Sequence, residues 1–367
     1  MGGAPVECVL FDKYPGLKKH IAWVPLGSFP TPVRRLAKLG EEIGCRNIWI
    51  KEDDKSSEYY GGNKVRKLEF ILADALRKKK RTILTYGGLG TNHGLATTIH
   101  GKRLGLKTLL LLVDQPLTDH VQKNLLLCQH FGAQLCYVRN TIGAALNTIR
   151  HFLTKTALYY LPPGGSSPLG SLGFVAAALE LKRQIDAGEL PEPKYIFVAL
   201  GSKGTMAGLL VGSRLAGLDS KIVGVRVAYT WLANERSTAR LANKIISLLT
   251  GYDEAVPTIR FKEEDVSVLH DYCGKGYGFA TSEGKEAMEI LNTTESIRLD
   301  LTYTAKTFAA VLDLIKSGKI QGDAPILYWH TYNSVDFTRT IKQECDCRQL
   351  PKSFHRFFEA NLIPYLQ

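Results

Sequence analysis

Two hydrophobic periods alternate along this chain of 367 residues. Short apolar runs give way to stretches in which apolar residues recur at three- and four-residue spacing, and the exchange repeats over most of the length. The pattern predicts strands over 82–86, 108–114, 133–138, 158–161, 195–200 and 222–228, and helices over 92–104, 119–131, 142–155, 172–187 and 205–215. Strands near Ile48 and Ile326 are expected to complete the larger sheet. A helix opening at Lys64 shows Leu68, Ile71, Leu72 and Ala75 on one apolar face. Strand and helix in turn are the mark of parallel sheets covered by helices on both faces. The fold class expected is α/β, with parallel-rich sheets flanked by helices.

Open sheets of this kind bind ligands beyond the carboxyl ends of their strands, and the unusual residues fall there. Gly61-Gly62-Asn63 delivers Lys64 at the positive end of its helix. A lysine in such a bend can be desolvated, lose its proton and form a Schiff base with a carbonyl cofactor. The 82–86 run leads into Gly87-Gly88-Leu89-Gly90-Thr91-Asn92-His93, a glycine-rich turn entering a helix. The 195–200 run leads into Gly201-Ser202-Lys203-Gly204-Thr205, whose small residues and helix N-terminus suit a phosphate. Neither loop has the ending of a P-loop or the spaced glycines and distal acid of a dinucleotide fold. Taken singly, each also fits an ordinary βα turn with a serine cap. A lysine upstream of a phosphate loop in one α/β chain is more specific, and it points to pyridoxal 5′-phosphate as an electron sink.

Composition narrows the setting. Hydrophobic residues make up 45%, enough for a sizeable core in two domains or one large one. The formal charge of +12 suits an anionic ligand, but the densest basic run, Arg77 to Arg81, sits where a helix ends and lacks interleaved aromatics. No nucleic-acid partner is expected. No apolar run is long enough for a membrane helix, the first residues lack a basic-then-apolar leader pattern, and seven dispersed cysteines argue for free thiols. A cytoplasmic protein without membrane contact is expected, an organelle matrix being the alternative. Cys345-Asp346-Cys347 lacks a second ligand pair, so no metal is expected.

With those residues in hand, the chain resembles the D-cysteine desulfhydrase and 1-aminocyclopropane-1-carboxylate deaminase family of tryptophan-synthase-β-like, fold type II pyridoxal phosphate enzymes. The resemblance rests on Gly61 to Glu69, Gly87-Gly88 with Thr91-Asn92-His93, Pro163 to Ser166 with Pro168-Leu169-Gly170, Gly276-Tyr277-Gly278, Asp300 to Thr304, and Trp329-His330-Thr331. It runs from about Pro30 to about Asp336. It implies that Lys64 is the Schiff-base lysine and moves the Cα proton, with Asn63 beside the cofactor. Asn92 would hydrogen-bond the cofactor's phenolate oxygen, and Thr91, where the family has serine, would lie near the substrate carboxylate. Gly201, Ser202, Lys203, Gly204 and Thr205 would hold the phosphate. Tyr277 and Tyr303 would face the substrate. Thr331, with Thr304, would face the pyridine nitrogen, where hydroxyls favour elimination over transamination. The deaminase branch has glutamate where this chain has Thr304, which leans towards the desulfhydrase branch.

The resemblance also implies a small domain over 66–161 inserted into a large one over 1–65 and 162–367, and a homodimer. The expected reaction is α-proton abstraction and β-elimination on a small amino acid, D-cysteine first, giving keto acid and ammonia. Ring opening of the cyclopropane amino acid comes second, a racemase or β-replacement synthase third; a non-catalytic cofactor-binding protein is the reading from another class. Departures bear on the substrate: Leu89, Gly90, Gly94 and Leu95 stand where the family has other residues, Tyr332-Asn333 replaces two glycines, and Lys203 enters a loop of small residues. Bland readings compete at other positions. Lys67 reads as an ion-pairing helix residue, His93 as a cap, His330 as a core histidine, and residues beyond about 337 match nothing.

Overall fold

The computed structural model describes residues 7–139, 157–320 and 324–359, so the expected helix over 142–155 lies outside the described residues. The chain divides into two compact units, Met1–Phe70 with Ser166–Ser334, and Ile71–Gly165 with Val335–Gln367.

The first unit is built on a six-stranded sheet. Its strands are β1 (Val33–Arg35), β2 (Ile48–Glu52), β7 (Tyr195–Leu200), β8 (Lys221–Arg226), β9 (Ser267–Leu269) and β10 (Ile326–His330), in the order β1-β2-β10-β7-β8-β9. Every pairing is parallel except β1 on β2. Position along the sheet explains composition. Central β10 reads Ile-Leu-Tyr-Trp-His and is buried at all five residues, because helices cover both faces. Edge strands β1 and β9 are short and contain polar residues, which discourages pairing with other chains. Two helices return the chain. One is α6 (Pro168–Asp186), opened by Pro168 and capped by Ser167, whose hydroxyl accepts the Gly170 N–H; the other is α7 (Gly204–Ala216). Both are buried nearly all round, as core helices are.

The second unit holds four parallel strands, β3 (Thr82–Gly88), β4 (Lys107–Val113), β5 (Gln134–Tyr137) and β6 (Leu158–Tyr160), in the order β5-β4-β3-β6. Helices α4 (Asn92–Arg103) and α5 (Asp119–His130) are opened by Thr91 and Thr118, each accepting a backbone N–H three residues on. The expected domain limits change here in two ways. Helix α3 (Lys64–Arg77) runs unbroken through the expected boundary at residue 66, and the division falls after Phe70. Residues from Val335 onward group with the second unit, not the large one. The reason is aromatic. Phe337 meets Phe131 edge-on at 5.8 Å, Phe357 and Phe354 of α12 (Lys352–Glu359) lie 5.7 and 6.2 Å from the ring of Tyr137, and Gln122 donates to the Phe357 carbonyl. The C-terminal residues thus cover edge strand β5, on which Tyr137 stands.

Beneath α3 in the first unit lies a buried charge cluster. Arg66 is bidentate to Asp53 and to Glu180, with N···O distances of 2.8 to 3.0 Å, and stacks on Phe29 at 4.1 Å. Lys51 reaches Glu180 at 2.6 Å and the Thr31 carbonyl at 2.7 Å, while Trp329 donates to Asp53 at 2.8 Å. Two cations face two anions, and each carboxylate is further hydrogen-bonded, the condition for burying such a group.

Candidate active site

The carboxyl ends of β2, β10 and β7 lead into the loops that carry Lys64, Thr331 and residues 201–205. After β2 the chain turns through Gly61 and Gly62 and starts α3 at Lys64. Gly62 sits at φ +92°, and a Cβ on it would lie 2.7 Å from the Thr331 carbonyl oxygen, so only glycine fits the approach. The Asn63 N–H donates to that same carbonyl, at the end of β10, and the Gly61 N–H donates to Asn333 Oδ1 at 2.7 Å. Asn333, one of the departures from the family's glycines, therefore anchors the lysine turn.

Lys64 Nζ donates to Asn63 Oδ1 at 2.7 Å, and Asn63 Nδ2 donates to Thr205 Oγ1 at 3.1 Å. Lysine turn and phosphate loop are thus linked through one amide. Screening from water pushes the Lys64 ammonium down to about 8, with Asp300 opposing. The phosphate loop closes at the N-terminus of α7. Ser166 Oγ donates to Ser202 Oγ at 2.8 Å and accepts the Gly204 N–H at 3.1 Å. A Cβ on Gly204 would stand 2.6 Å from Ser166 Oγ and 3.0 Å from Lys67 Nζ. Lys67 is therefore an amine under the loop and not a surface helix residue. It is 1% exposed, and burial, then the neighbouring Lys64, push it well below the ordinary lysine range. Its spacing of three from Lys64, on the same helix face, was the available signal. Lys203 differs from expectation in the other direction. It adopts φ +62°, and its Nζ turns to the Leu232 carbonyl at 3.2 Å, so its ammonium is directed at the loop after β8.

The tyrosines meet. Tyr277 and Tyr303 place their phenol oxygens 2.5 Å apart, with rings edge-on at 5.9 Å, and Tyr303 Cε1 lies 3.4 Å from where a Cβ on Gly201 would be. Burial raises both phenols, Tyr303 well above the ordinary range with Tyr277 and Asp300 adding to the effect. Thr304 is the second correction. Its hydroxyl donates to Asp300 Oδ1 and accepts the Asp300 N–H, both at 2.7 Å, so its hydrogen is used inside the turn that starts α10 (Thr304–Lys316). Asp300 also accepts the N–H groups of Thr302, Tyr303 and Thr304. Thr331 remains at the end of β10, 9% exposed. His330 beside it is 1% exposed, and burial lowers its pKa to about 4, which makes it a neutral core histidine.

In the second unit, Thr91 accepts the Gly94 N–H as the cap of α4, and His93 meets Thr85 Oγ1 at 3.1 Å rather than capping. Asn92 Oδ1 accepts from Asn124 Nδ2 at 2.9 Å and contacts His120 Nε2 at 3.0 Å.

The donor set of the first unit suits a phosphorylated carbonyl compound. A glycine cradle at a helix N-terminus, two serine hydroxyls and a buried amine are groups that suit a phosphate, and a second amine of lowered pKa is one that suits a carbonyl. Among the described residues no group of ligands could hold a metal ion, and no helix is long and apolar enough to cross a membrane.

Comparison with known proteins agrees with this chemistry. Residues 24–331 match the family model described as pyridoxal-phosphate dependent enzyme. The chain is 35% identical over 314 residues to D-cysteine desulfhydrase of Salmonella newport, covering 82% of this chain and 91% of the relative, and equally so to that of Salmonella typhimurium. A crystal structure titled as an ACC deaminase homologue superposes with a TM-score of 0.75 at 28% identity, over 92% of this chain and 98% of that one. The processed form of threonine deaminase isoform 2 from Solanum lycopersicum, 18% identical with a TM-score of 0.57 over 93% of each chain, shares the fold. The chain belongs to the pyridoxal-phosphate-dependent enzyme family, with the two-unit α/β fold of its fold type II members.

Proposed function

We propose that this pyridoxal-phosphate-dependent enzyme removes the α proton of a small amino acid and expels its β substituent in the manner of a D-cysteine desulfhydrase, releasing keto acid and ammonia. The observation that carries the proposal is the chain Lys64–Asn63–Thr205, which puts an amine of lowered pKa one amide away from the phosphate loop. The similarity to the Salmonella desulfhydrases supports the choice of D-cysteine. The ACC deaminase homologue supports ring opening of the cyclopropane amino acid as second reading.

When bound, the cofactor supplies a carbonyl to accept an amine and a ring to delocalise the electrons left at Cα. The protein residues supply the rest. The N–H groups at the start of α7, the Ser202 and Thr205 hydroxyls and the Lys67 amine would hold the phosphate. Lys64, able to lose its proton near neutrality, would take the Cα proton and return it. Asn63 fixes its rotamer. Tyr303 and Tyr277 stay protonated at neutral pH and share a short hydrogen bond, so the pair can donate a proton to a departing thiolate. Because the Thr304 hydroxyl and the Asp300 carboxylate serve their own turn, Thr331 is the residue assigned to the ring nitrogen. A homodimer in a reducing compartment completes the proposal, the seven free cysteines supporting the compartment.

Incubation with D-cysteine should release pyruvate, with little conversion of the cofactor to its amine form. Turnover of L-amino acids alone with no keto acid released, or steady build-up of the amine form, would overturn it. Tyr303→Phe should lower elimination by roughly 10²-fold or more while cofactor retention changes little.

The phosphate assignment has its own test. Gly204→Val should weaken cofactor binding at least about tenfold, because its side chain meets Ser166 and Lys67. Lys67→Met should weaken it as well, whereas Lys203→Ala should bind almost normally. Equal retention of cofactor by wild type and Gly204→Val in equilibrium dialysis would remove this loop from the site.

A further inference from the structure

Tyr303 and Tyr277 reach their 2.5 Å contact by different routes. Tyr303 is held locally, since its N–H is tied to Asp300 at the head of α10. Tyr277 hangs on a loop whose glycines all have positive φ, Gly274 at +63°, Gly276 at +140° and Gly278 at +83°. Glycine is the residue with the most conformational freedom, so a chain of this kind does not place a phenol by itself. Something outside the loop must fix it.

Lys306 meets that need. It stands one helical turn after Tyr303 on α10 and is 0% exposed. Its Nζ donates to the carbonyl of Cys273 at 2.7 Å and to that of Gly276 at 3.3 Å, two residues that bracket the bend just before Tyr277. Among the described residues no carboxylate pairs with it at ion-pair distance. Burial lowers its pKa, with Cys273 and Asp300 opposing and Arg226 adding through their fields. A buried lysine whose hydrogen bonds go to carbonyl oxygens is an expensive choice for packing, and a leucine or methionine would fill the same space without desolvating a charge. What the ammonium adds is several donors on one atom, able to tie two carbonyls of a flexible loop to the helix that carries the other tyrosine.

We propose that Lys306 is a positioning residue that holds the Tyr277 loop to α10 and so sets the phenol pair for turnover, without taking part in holding the cofactor. The proposal rests on the reading that this pair serves the substrate side. Its geometric half does not depend on which substrate is turned over.

Two measurements separate those parts. In Lys306→Met, amide hydrogen exchange over residues 273–281, read by mass spectrometry on the cofactor-loaded protein without substrate, should rise about tenfold or more, because local opening loses its tether. Exchange over 201–208 and the borohydride-reducible visible band should stay as in wild type. With D-cysteine, kcat should fall by about 10²-fold, the scale of a misplaced catalytic group. In a Tyr277→Phe background the same substitution should lower kcat by less than about threefold further, since it acts through that phenol. Lys306→Gln, which keeps an amide donor too short to span both carbonyls, should loosen 273–281 by about threefold. Unchanged exchange over 273–281 in both Lys306 variants overturns the tether. Fully additive losses in the double variant overturn the route through Tyr277, even if D-cysteine is confirmed as substrate. Absence of D-cysteine turnover in wild type, with the exchange result as expected, overturns the functional reading and leaves the tether standing.

Discussion

Lys64→Ala should abolish the borohydride-reducible visible absorbance of the cofactor-loaded protein and lower turnover by about 10⁴-fold or more, the loss expected when nucleophile and proton carrier are one group. The protein should remain folded. Lys64 is the first residue of α3 and keeps part of its surface, and its amine hydrogen-bonds to the neighbouring Asn63 amide rather than to the core. The lowered pKa gives a second readout. Only the free amine attacks a carbonyl, so the rate at which apo-protein takes up cofactor should rise with pH and level off above a midpoint near 8. The rival is Lys67, whose amine is more strongly depressed. Its position against Gly204 assigns it to the phosphate, so Lys67→Met should keep the reducible band and lose affinity. A Lys64→Ala protein that retains the band, with the band lost in Lys67→Met, would exchange the two roles.

The outcome for these two lysines shows where sequence reasoning reaches and where it stops. Strand and helix periods differ enough that the βα alternation was legible: the expected strand over 195–200 is β7, and the helix over 119–131 is α5 but for one residue. The short edge strands β1 and β9 were not, because three residues are too few to carry a period. At the site, the glycine turns and the two tyrosines announced themselves through residue type. Buried lysines did not. Lys67, Lys51 and Lys306 are each 1% exposed or less, yet a lysine in a helix or strand reads as a solvated surface group until its partners are seen. Thr304 was assigned to the ring nitrogen because its hydroxyl could be counted but its hydrogen-bond partner could not. That partner, Asp300, sits four residues earlier in the motif and uses both carboxylate oxygens on the turn itself. The covering of β5 by Phe337, Phe354 and Phe357 was equally hidden, since it joins residues more than 200 positions apart.

The cluster under α3 sets the other large effect. Glu180→Ala should destabilise the protein by about 3–5 kcal/mol, because it leaves Arg66 and Lys51 buried with Asp53 as their single carboxylate. Removing an exposed pair such as Lys316–Glu286 should cost less than about 1 kcal/mol. The partners do not share the work evenly. Burial pushes Lys51 down in spite of Glu180, whereas Arg66, bidentate to both carboxylates, stays charged and is the cation that pairs with both of them. The same pairing overcomes the burial of Glu180 and draws its carboxyl down to about 2. The sign follows from the lowered value. In the unfolded chain a glutamate titrates near 4.3, so the folded state gains from ionised Glu180 at every pH above that. The gain fades as pH falls from there towards 2, where the folded carboxyl also takes up a proton. It amounts to on the order of 3 kcal/mol. Wild type should therefore lose urea resistance steeply between about pH 4.3 and 2, and Glu180→Ala, already without the carboxylate, should show a shallower decline over that window. Because Arg66 lies two residues after Lys64 on the same helix, the variant should also release cofactor faster. A Glu180→Ala protein with a wild-type urea midpoint at pH 7 would mean that Asp53 alone suffices for both cations.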